Sequence, residues 1–143
     1  MLIIFDLDGT LALTDHRSHF LNRPSAEKDW RGFYAACDED RPCHPIIKTA
    51  LAFDAVGERV EIWSGRSDEV AEKTTAWLGA NGLGHLPIRT RKAGDHRPDT
   101  VVKAEWMEEI NRKPDLVFED RKSMVEMWRS HGIVCCQVAP GDF

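Results

Sequence analysis

The sequence predicts an α/β fold: a Rossmann-like parallel five-stranded sheet covered on both faces, with a small helical insert after the first strand. Three observations predict it. Five short runs, Leu2–Phe5, Val60–Trp63, Ile88–Arg91, Leu116–Phe118 and Val134–Val138, have the length and residue types of strands. Helical segments separate most of them, the pattern of crossovers in a parallel sheet. The stretch from Leu11 to Arg59 is too long for one crossover. It leaves room for an insert over residues 15–45, ahead of a crossover helix from about Pro45 to Val56.

The first element organises the rest. Leu2, Ile3, Ile4 and Phe5 form an apolar run of the kind buried on both faces of a sheet. It stops at Asp6, Leu7, Asp8, Gly9 and Thr10. Two carboxylates at the C-terminal end of a buried strand stand where open α/β sheets place their chemistry. Gly9 permits a tight turn and a close approach of backbone to ligand.

Within the insert, Trp30, Phe33 and Tyr34 fall on one helix face. That stripe reads as packing onto the main body, with contact to a base as the alternative. Arg17 is a rigid fork for a phosphate or carboxylate. His16 and His19 have no acidic partners at metal-ligand spacing and read as surface residues.

The second strand ends in Ser64, Gly65, Arg66 and Ser67, ahead of a helix expected over Asp68–Ala80. Ser67 is placed to cap that helix, and the Ser64 hydroxyl with nearby N–H groups to hold phosphoryl oxygens. A polar loop, Lys92–Asp99, then leads through Lys103 into a helix expected over Ala104–Ile110. The fourth strand ends in Glu119, Asp120 and Arg121. Gathering Asp6, Asp8, Glu119 and Asp120 in one cleft brings like charges together and calls for a cation. With oxygen ligands only, Mg²⁺ is the natural choice.

Composition bounds the function. The chain has 143 residues, enough for one domain with a real core, and a net charge of -5. That charge argues against a general nucleic-acid-binding surface, though not against a grip on one phosphate at a chain end. No apolar stretch approaches a membrane span. The opening run is interrupted too early for a secretory leader, so a cytoplasmic location is expected. Cys37, Cys43, Cys135 and Cys136 form no C-x-x-C pair, so reduced thiols are expected and zinc is not. Cys135 and Cys136 should point to opposite faces of the last strand.

The motif Asp6-x-Asp8-x-Thr10 resembles the first motif of the haloacid dehalogenase-type phosphatases, and three more motifs follow in order: Ser64, Lys103 and Glu119-Asp120. Many members carry Asp-Asp at the last of these. More narrowly, Gly94-Asp95-x-Arg97-x-Asp99-x-Val101-Val102-Lys103, Val125-Glu126-Met127-Trp128-Arg129 and Gln137-Val138-Ala139-x-Gly141-Asp142-Phe143 are similar to the 3′-phosphatase domain of phage-type polynucleotide kinase-phosphatases. The resemblance spans Leu2 to Phe143 and is thin across the insert. The kinase loop G-x-x-x-x-G-K-[ST] does not occur.

The resemblance implies a single phosphatase domain over 1–143 with 15–45 as a cap-like insert. It implies Asp6 as nucleophile, Asp8 as general acid and base, and Ser64 and Lys103 around the phosphoryl group. Mg²⁺ would be held by Asp6, the Asp8 carbonyl and Asp120, with help from Glu119. Thr10, Arg17, Gly65, Arg66 and Asp99 complete the implied substrate site. The implied reaction is Mg²⁺-dependent hydrolysis of a phosphomonoester through an aspartyl-phosphate, on a nucleotide or a nucleic-acid 3′ end. A free 5′-mononucleotide substrate is the main alternative. A non-catalytic binding module on the same fold is the third.

Overall fold

The structure is a computed structural model that describes residues 1–141; Asp142 and Phe143, and with them the last two residues of the third motif above, lie outside the described residues. Among the described residues, seven strands and five α-helices follow in the order β1 (Leu2–Phe5), β2 (Ala12–Leu13), α1 (Trp30–Ala35), β3 (Arg41–Pro42), α2 (His44–Ala55), β4 (Arg59–Ser67), α3 (Ala71–Ala80), β5 (Ile88–Arg91), α4 (Asp99–Glu109), β6 (Leu116–Glu119), α5 (Lys122–Ser130) and β7 (Val134–Gln137). Five of the strands form one parallel sheet in the order β5-β4-β1-β6-β7.

Strand alternation divides β1 between two cores. Ile3 and Phe5 face Ile47, Ala50, Trp77 and Leu78 of α2 and α3. Leu2 and Ile4 face Trp106, Met124, Val125 and Trp128 of α4 and α5. All four β1 residues are buried, which is why the run is continuously apolar. The chain builds outward through β4 and β5, then returns across β1 to lay down β6 and β7. Strand order therefore reverses beside β1, and the C-terminal ends of β1, β4 and β6 flank a crevice there.

The expected strands stand close to their predicted bounds, with informative differences. β4 runs on to Ser67, with a register shift against β5 between Ser64 and Ser67. This irregularity sets the Ser64–Ser67 segment apart from regular pairing. The helix expected over Asp68–Ala80 divides into a 3₁₀ turn, Asp68–Val70, and α3, and Ser67 caps the turn by accepting from the Glu69 N–H. α4 starts at Asp99, five residues before the predicted Ala104. Pro98 precedes it in an extended conformation, and an acidic residue in the first turn suits the helix dipole. The β-branched Thr100, Val101 and Val102 hid that start. β7 ends one residue early, and Cys135 is buried while Cys136 is exposed, as alternation requires.

The insert holds three 3₁₀ turns and α1. Its two ends are joined by a two-stranded ribbon, Ala12 against Pro42 and Leu13 against Arg41, closed by the Cys43 N–H donating to the Leu11 carbonyl at 2.8 Å. The Trp30–Phe33–Tyr34 stripe is split: Phe33 is buried, while Trp30 is 40% exposed. No helix among the described residues is long and apolar enough to cross a membrane.

Candidate active site

The loop after β1 folds back on itself. The N–H groups of Thr10, Leu11 and Ala12 all point to the Leu7 carbonyl, and the Gly9 N–H donates to the Ala12 carbonyl at 2.8 Å. Gly9 has φ +89°, and a Cβ there would collide with the Asp120 carboxylate. Glycine is therefore needed twice over, for the backbone angle and for the approach of β1 and β6 loops.

Asp6 emerges from β1 with its carboxylate 2.6 Å from Lys103 Nζ, which also donates to Glu119 Oε2 at 3.0 Å. All three groups are almost fully buried. The early start of α4 matters here, since Lys103 sits inside the helix and reaches inward. Oxygens of Asp6, Glu119 and Asp120 lie within 4.8 Å of one another. Burial, and then the Glu119 charge, raise the Asp6 carboxyl well above the usual carboxylate range despite Lys103. Burial likewise raises Glu119, and burial with the Asp6 charge pushes Asp120 up to about 6. Three buried carboxylates against one ammonium leave excess negative charge in a low-dielectric pocket. That donor set, all oxygen and electron-rich, fits a hard divalent cation. Glu119 is the most committed of the three, to Lys103 and to the Asp120 N–H at 3.3 Å.

Asp8 turns the other way. Arg17 Nη2 donates to its Oδ1 at 2.5 Å, and Arg66 donates to both of its oxygens. Burial raises the Asp8 carboxyl, but Arg66 and Arg17 outweigh it and bring it down to about 2. Both arginines are fully buried. Their guanidiniums face Asp8 and Asp40 rather than open cleft. Arg17 also lies 4.0 Å over the Phe33 ring and donates to the Phe33 carbonyl at 3.1 Å.

Asp40 is the residue that sequence reasoning missed. It is buried, accepts from Arg17 Nε at 2.7 Å and Nη2 at 2.6 Å, and takes Arg66 Nη2 at 3.2 Å. His16, expected to be an unengaged surface residue, is exposed but places Nε2 2.8 Å from Asp40 Oδ1. No motif marks Asp40; its only signal is that two buried arginines need a second counter-charge.

The remaining candidates sit around this core. Ser64 is buried and its Oγ accepts from the Arg66 N–H at 3.1 Å. The Thr10 hydroxyl is buried with no hydrogen-bond partner among the described residues. Asp99 accepts from Arg91 and, at 2.9 Å, from Arg121 Nη1. It packs so tightly on Gly65 that a Cβ there would lie 2.5 Å from its Oδ1. The Gly65 carbonyl accepts from Arg91 Nε at 2.7 Å and from the Tyr34 hydroxyl at 3.1 Å, which ties α1 to the end of β4. Asp6, Asp8, Gly65, Asp99, Glu119 and Asp120 line one narrow cleft of about 30 Å³, with Lys103, Ser64, Arg17 and Arg66 behind it.

Comparison with known proteins bears on family and fold. The family model described as the polynucleotide kinase PNKP phosphatase domain matches residues 1–143. Two structures of Pnkp1/Rnl/Hen1 assemblies, one described as an RNA repair complex, each superpose with a TM-score of 0.81; identities are 27% and 28%, over 99% of this chain. The chain spans 43% and 47% of those two chains, less than half their length. A predicted phosphoglycolate phosphatase from Haemophilus somnus shares the fold at 17% identity, with a TM-score of 0.63 over 95% of this chain and 84% of its own. With the match extending over its whole length, the chain belongs to the polynucleotide kinase PNKP phosphatase-domain family, and it is a phosphatase of the haloacid dehalogenase fold.

Proposed function

We propose that this protein is a Mg²⁺-dependent phosphomonoesterase that removes the 3′-phosphate from a nucleic-acid end or a 3′-nucleotide. The observation that carries the reading is the Asp6 carboxylate, held by Lys103 beside Glu119 and Asp120 on the cleft. Asp6, Asp120 and the Asp8 carbonyl would hold the ion, with Glu119 steadying Lys103 and the Asp120 backbone. When bound, the ion supplies positive charge that offsets repulsion between the carboxylates and the phosphate.

Asp6 attacks phosphorus and the bond to the 3′ oxygen breaks, leaving an aspartyl-phosphate. Asp8 gives its proton to the departing alkoxide. Water then attacks the phosphorus, Asp8 takes a proton from that water, and inorganic phosphate leaves with Asp6 restored. Lys103 and Ser64 oppose the charge that develops on the phosphoryl oxygens. In the free enzyme Arg17 and Arg66 keep Asp8 ionised from behind; a phosphate dianion entering the cleft in front of Asp8 brings like charge to it and favours the protonated acid.

The test is phosphate release from a 3′-phosphorylated oligonucleotide, a 3′-deoxynucleotide and a 5′-deoxynucleotide, with Mg²⁺ and with EDTA. Release from the two 3′-phosphates only, abolished by EDTA, is expected. Preference for the 5′-nucleotide would replace this substrate assignment, and no release from any would mark a binding module.

A further inference from the structure

The chain from Gln137 to Gly141, at and beyond the end of β7, has no part in the chemistry at Asp6, and none of its residues lines the cleft. It is nevertheless bonded to the loop that carries Glu119 and Asp120. The Glu119 carbonyl accepts from the Val138 N–H at 2.9 Å, and the Asp120 carbonyl from Gln137 Nε2 at 3.0 Å. Two residues on, the Lys122 N–H donates to the Gly141 carbonyl at 2.7 Å. That last bond serves the start of α5, where no side chain at the N-cap position accepts from the first turn. The Gly141 carbonyl satisfies one of the N–H groups that a helix leaves without an internal partner.

Gly141 is also packed on that loop. A Cβ on it would lie 2.7 Å from the Asp120 carbonyl oxygen and 3.0 Å from the Arg121 Cα. Only a residue without a side chain lets these two stretches of backbone meet. Asp120 is therefore enclosed by two glycines, Gly9 against its carboxylate and Gly141 against its backbone. It stands one residue beyond the end of β6, where sheet pairing no longer fixes the chain, and the segment after β7 takes over. An aspartate has a single methylene between backbone and carboxylate. Any shift of the Asp120 backbone is thus passed on to its oxygens.

We propose that Gln137 and Gly141 are positioning residues for the metal site. The segment after β7 clamps the backbone from Glu119 to Lys122 and so sets where the Asp120 carboxylate stands. The inference rests on the reading of Asp120 as a ligand of Mg²⁺ given above, and adds the part of the chain that holds this ligand in place. It gives a role to Gln137-Val138-Ala139-x-Gly141, a stretch of sequence that the reaction itself does not use. Coupling of this kind is reciprocal: a docked segment that favours the metal is itself favoured by bound metal, by the same factor.

The test is a Mg²⁺ titration of the metal-free protein, read from amide chemical shifts, for the wild type, Gln137→Leu and Gly141→Ala. Gln137→Leu keeps most of the bulk and removes one donor at an exposed position. Its Mg²⁺ Kd should rise about threefold, the scale of one lost hydrogen bond. Gly141→Ala pushes the Asp120 carbonyl away and should raise the Kd about tenfold. If Gly141→Ala does not fold, Gln137→Leu decides alone. Hydrolysis of p-nitrophenyl phosphate should show the same displacement of the Mg²⁺ midpoint, with kcat at saturating metal within about twofold of wild type. A role in stability alone would lower the melting temperature in EDTA and leave the Kd unchanged; unchanged Kd values overturn the proposal. In the wild type, hydrogen exchange at the Lys122 and Val138 amides should slow at least about threefold on adding Mg²⁺, and exchange that the metal leaves unmoved also overturns it. If the wild type binds no Mg²⁺, the metal assignment under Proposed function has failed instead. The clamp is then decided by exchange at the Lys122 amide in the metal-free proteins. Exchange at least about threefold faster in the variants supports it, and equal rates refute it.

Discussion

Arg66 Nη2 bridges Asp8 and Asp40, lying 3.2 Å from Asp40 Oδ2 while also donating to Asp8 Oδ1. A residue of the insert thus shares a hydrogen-bond donor with the expected general acid. Asp40→Asn removes the counter-charge of two buried guanidiniums. The variant should lose about 3–5 kcal/mol of stability, the usual cost of breaking a buried ion pair. Both arginines then fall wholly to Asp8 and hold it ionised more firmly. Activity should drop more on a 3′-nucleotide, whose alkoxide needs a proton, than on p-nitrophenyl phosphate, whose phenolate does not. Urea unfolding and kcat on the two substrates check both parts. An equal loss on both would make Asp40 purely a structural anchor.

Asp6→Asn should abolish turnover, by at least about a thousandfold, because the amide is nearly isosteric and a poor nucleophile. The same change relieves charge crowding with Glu119 and Asp120. The metal-free variant should therefore melt no lower than the wild type at pH 7.5. A lower melting temperature would mean that the Lys103–Asp6 pair outweighs the crowding.

Metal dependence and pH are coupled through the acidic cluster. Asp6 and Asp120 have raised carboxyl pKa values, Asp120 about 6. A carboxyl raised in the folded state binds more protons there than in the unfolded chain, so stability declines as pH climbs from about 4 to about 7. Asp8 runs the opposite way, but its contribution is lost only as pH falls below the ordinary carboxylate range toward about 2, outside that window. In EDTA the melting temperature should fall between pH 5 and pH 7.5. Stabilisation by Mg²⁺ should be small at pH 5 and grow toward pH 7.5. Thermal unfolding with and without the metal reads this directly; a Mg²⁺ shift independent of pH would place the ion elsewhere.

Gly9→Ala inserts a Cβ into the space of the Asp120 carboxylate at a backbone angle that L residues rarely adopt. The expected result is a Mg²⁺ requirement at least about tenfold higher, since one displaced carboxylate oxygen is a lost ligand. A Mg²⁺ titration of activity would show it, and an unchanged midpoint would remove Asp120 from the ligand set.

Arg66→Lys should be far from neutral. An ammonium can replace the charge but not the simultaneous reach to Asp8, Asp40 and Thr74 Oγ1. A kcat loss of about tenfold or more is expected, with a lowered melting temperature. Wild-type kinetics in this variant would show that one contact suffices.

The strand-end residues were legible because each follows an apolar run that can only be a buried strand. Asp6, Ser64 and Glu119-Asp120 all sit at such junctions. Lys103 was legible in order along the chain but not in its setting, because β-branched residues disguised the first turn of α4. Asp40 was illegible for a different reason. Its partners Arg17 and Arg66 lie 23 and 26 residues away, and no periodicity relates them. The β2–β3 ribbon was equally hidden, since two residues per strand, one of them Pro42, carry no pattern. Arg17 was legible as a fork and Arg66 only through the family resemblance, and which anion each would face depends on how the insert folds back.

The ribbon at the base of the insert also bears on how this scaffold tolerates remodelling. Ala12–Leu13 and Arg41–Pro42 pin the two ends together, and Arg17 and Asp40 both stand near that clasp. The far segment, Arg23–Glu27, is exposed throughout. Residues could be added or replaced there as in a cassette, without moving the clasp or the charges behind Asp8. That segment is where a library seeking altered cap size should be built.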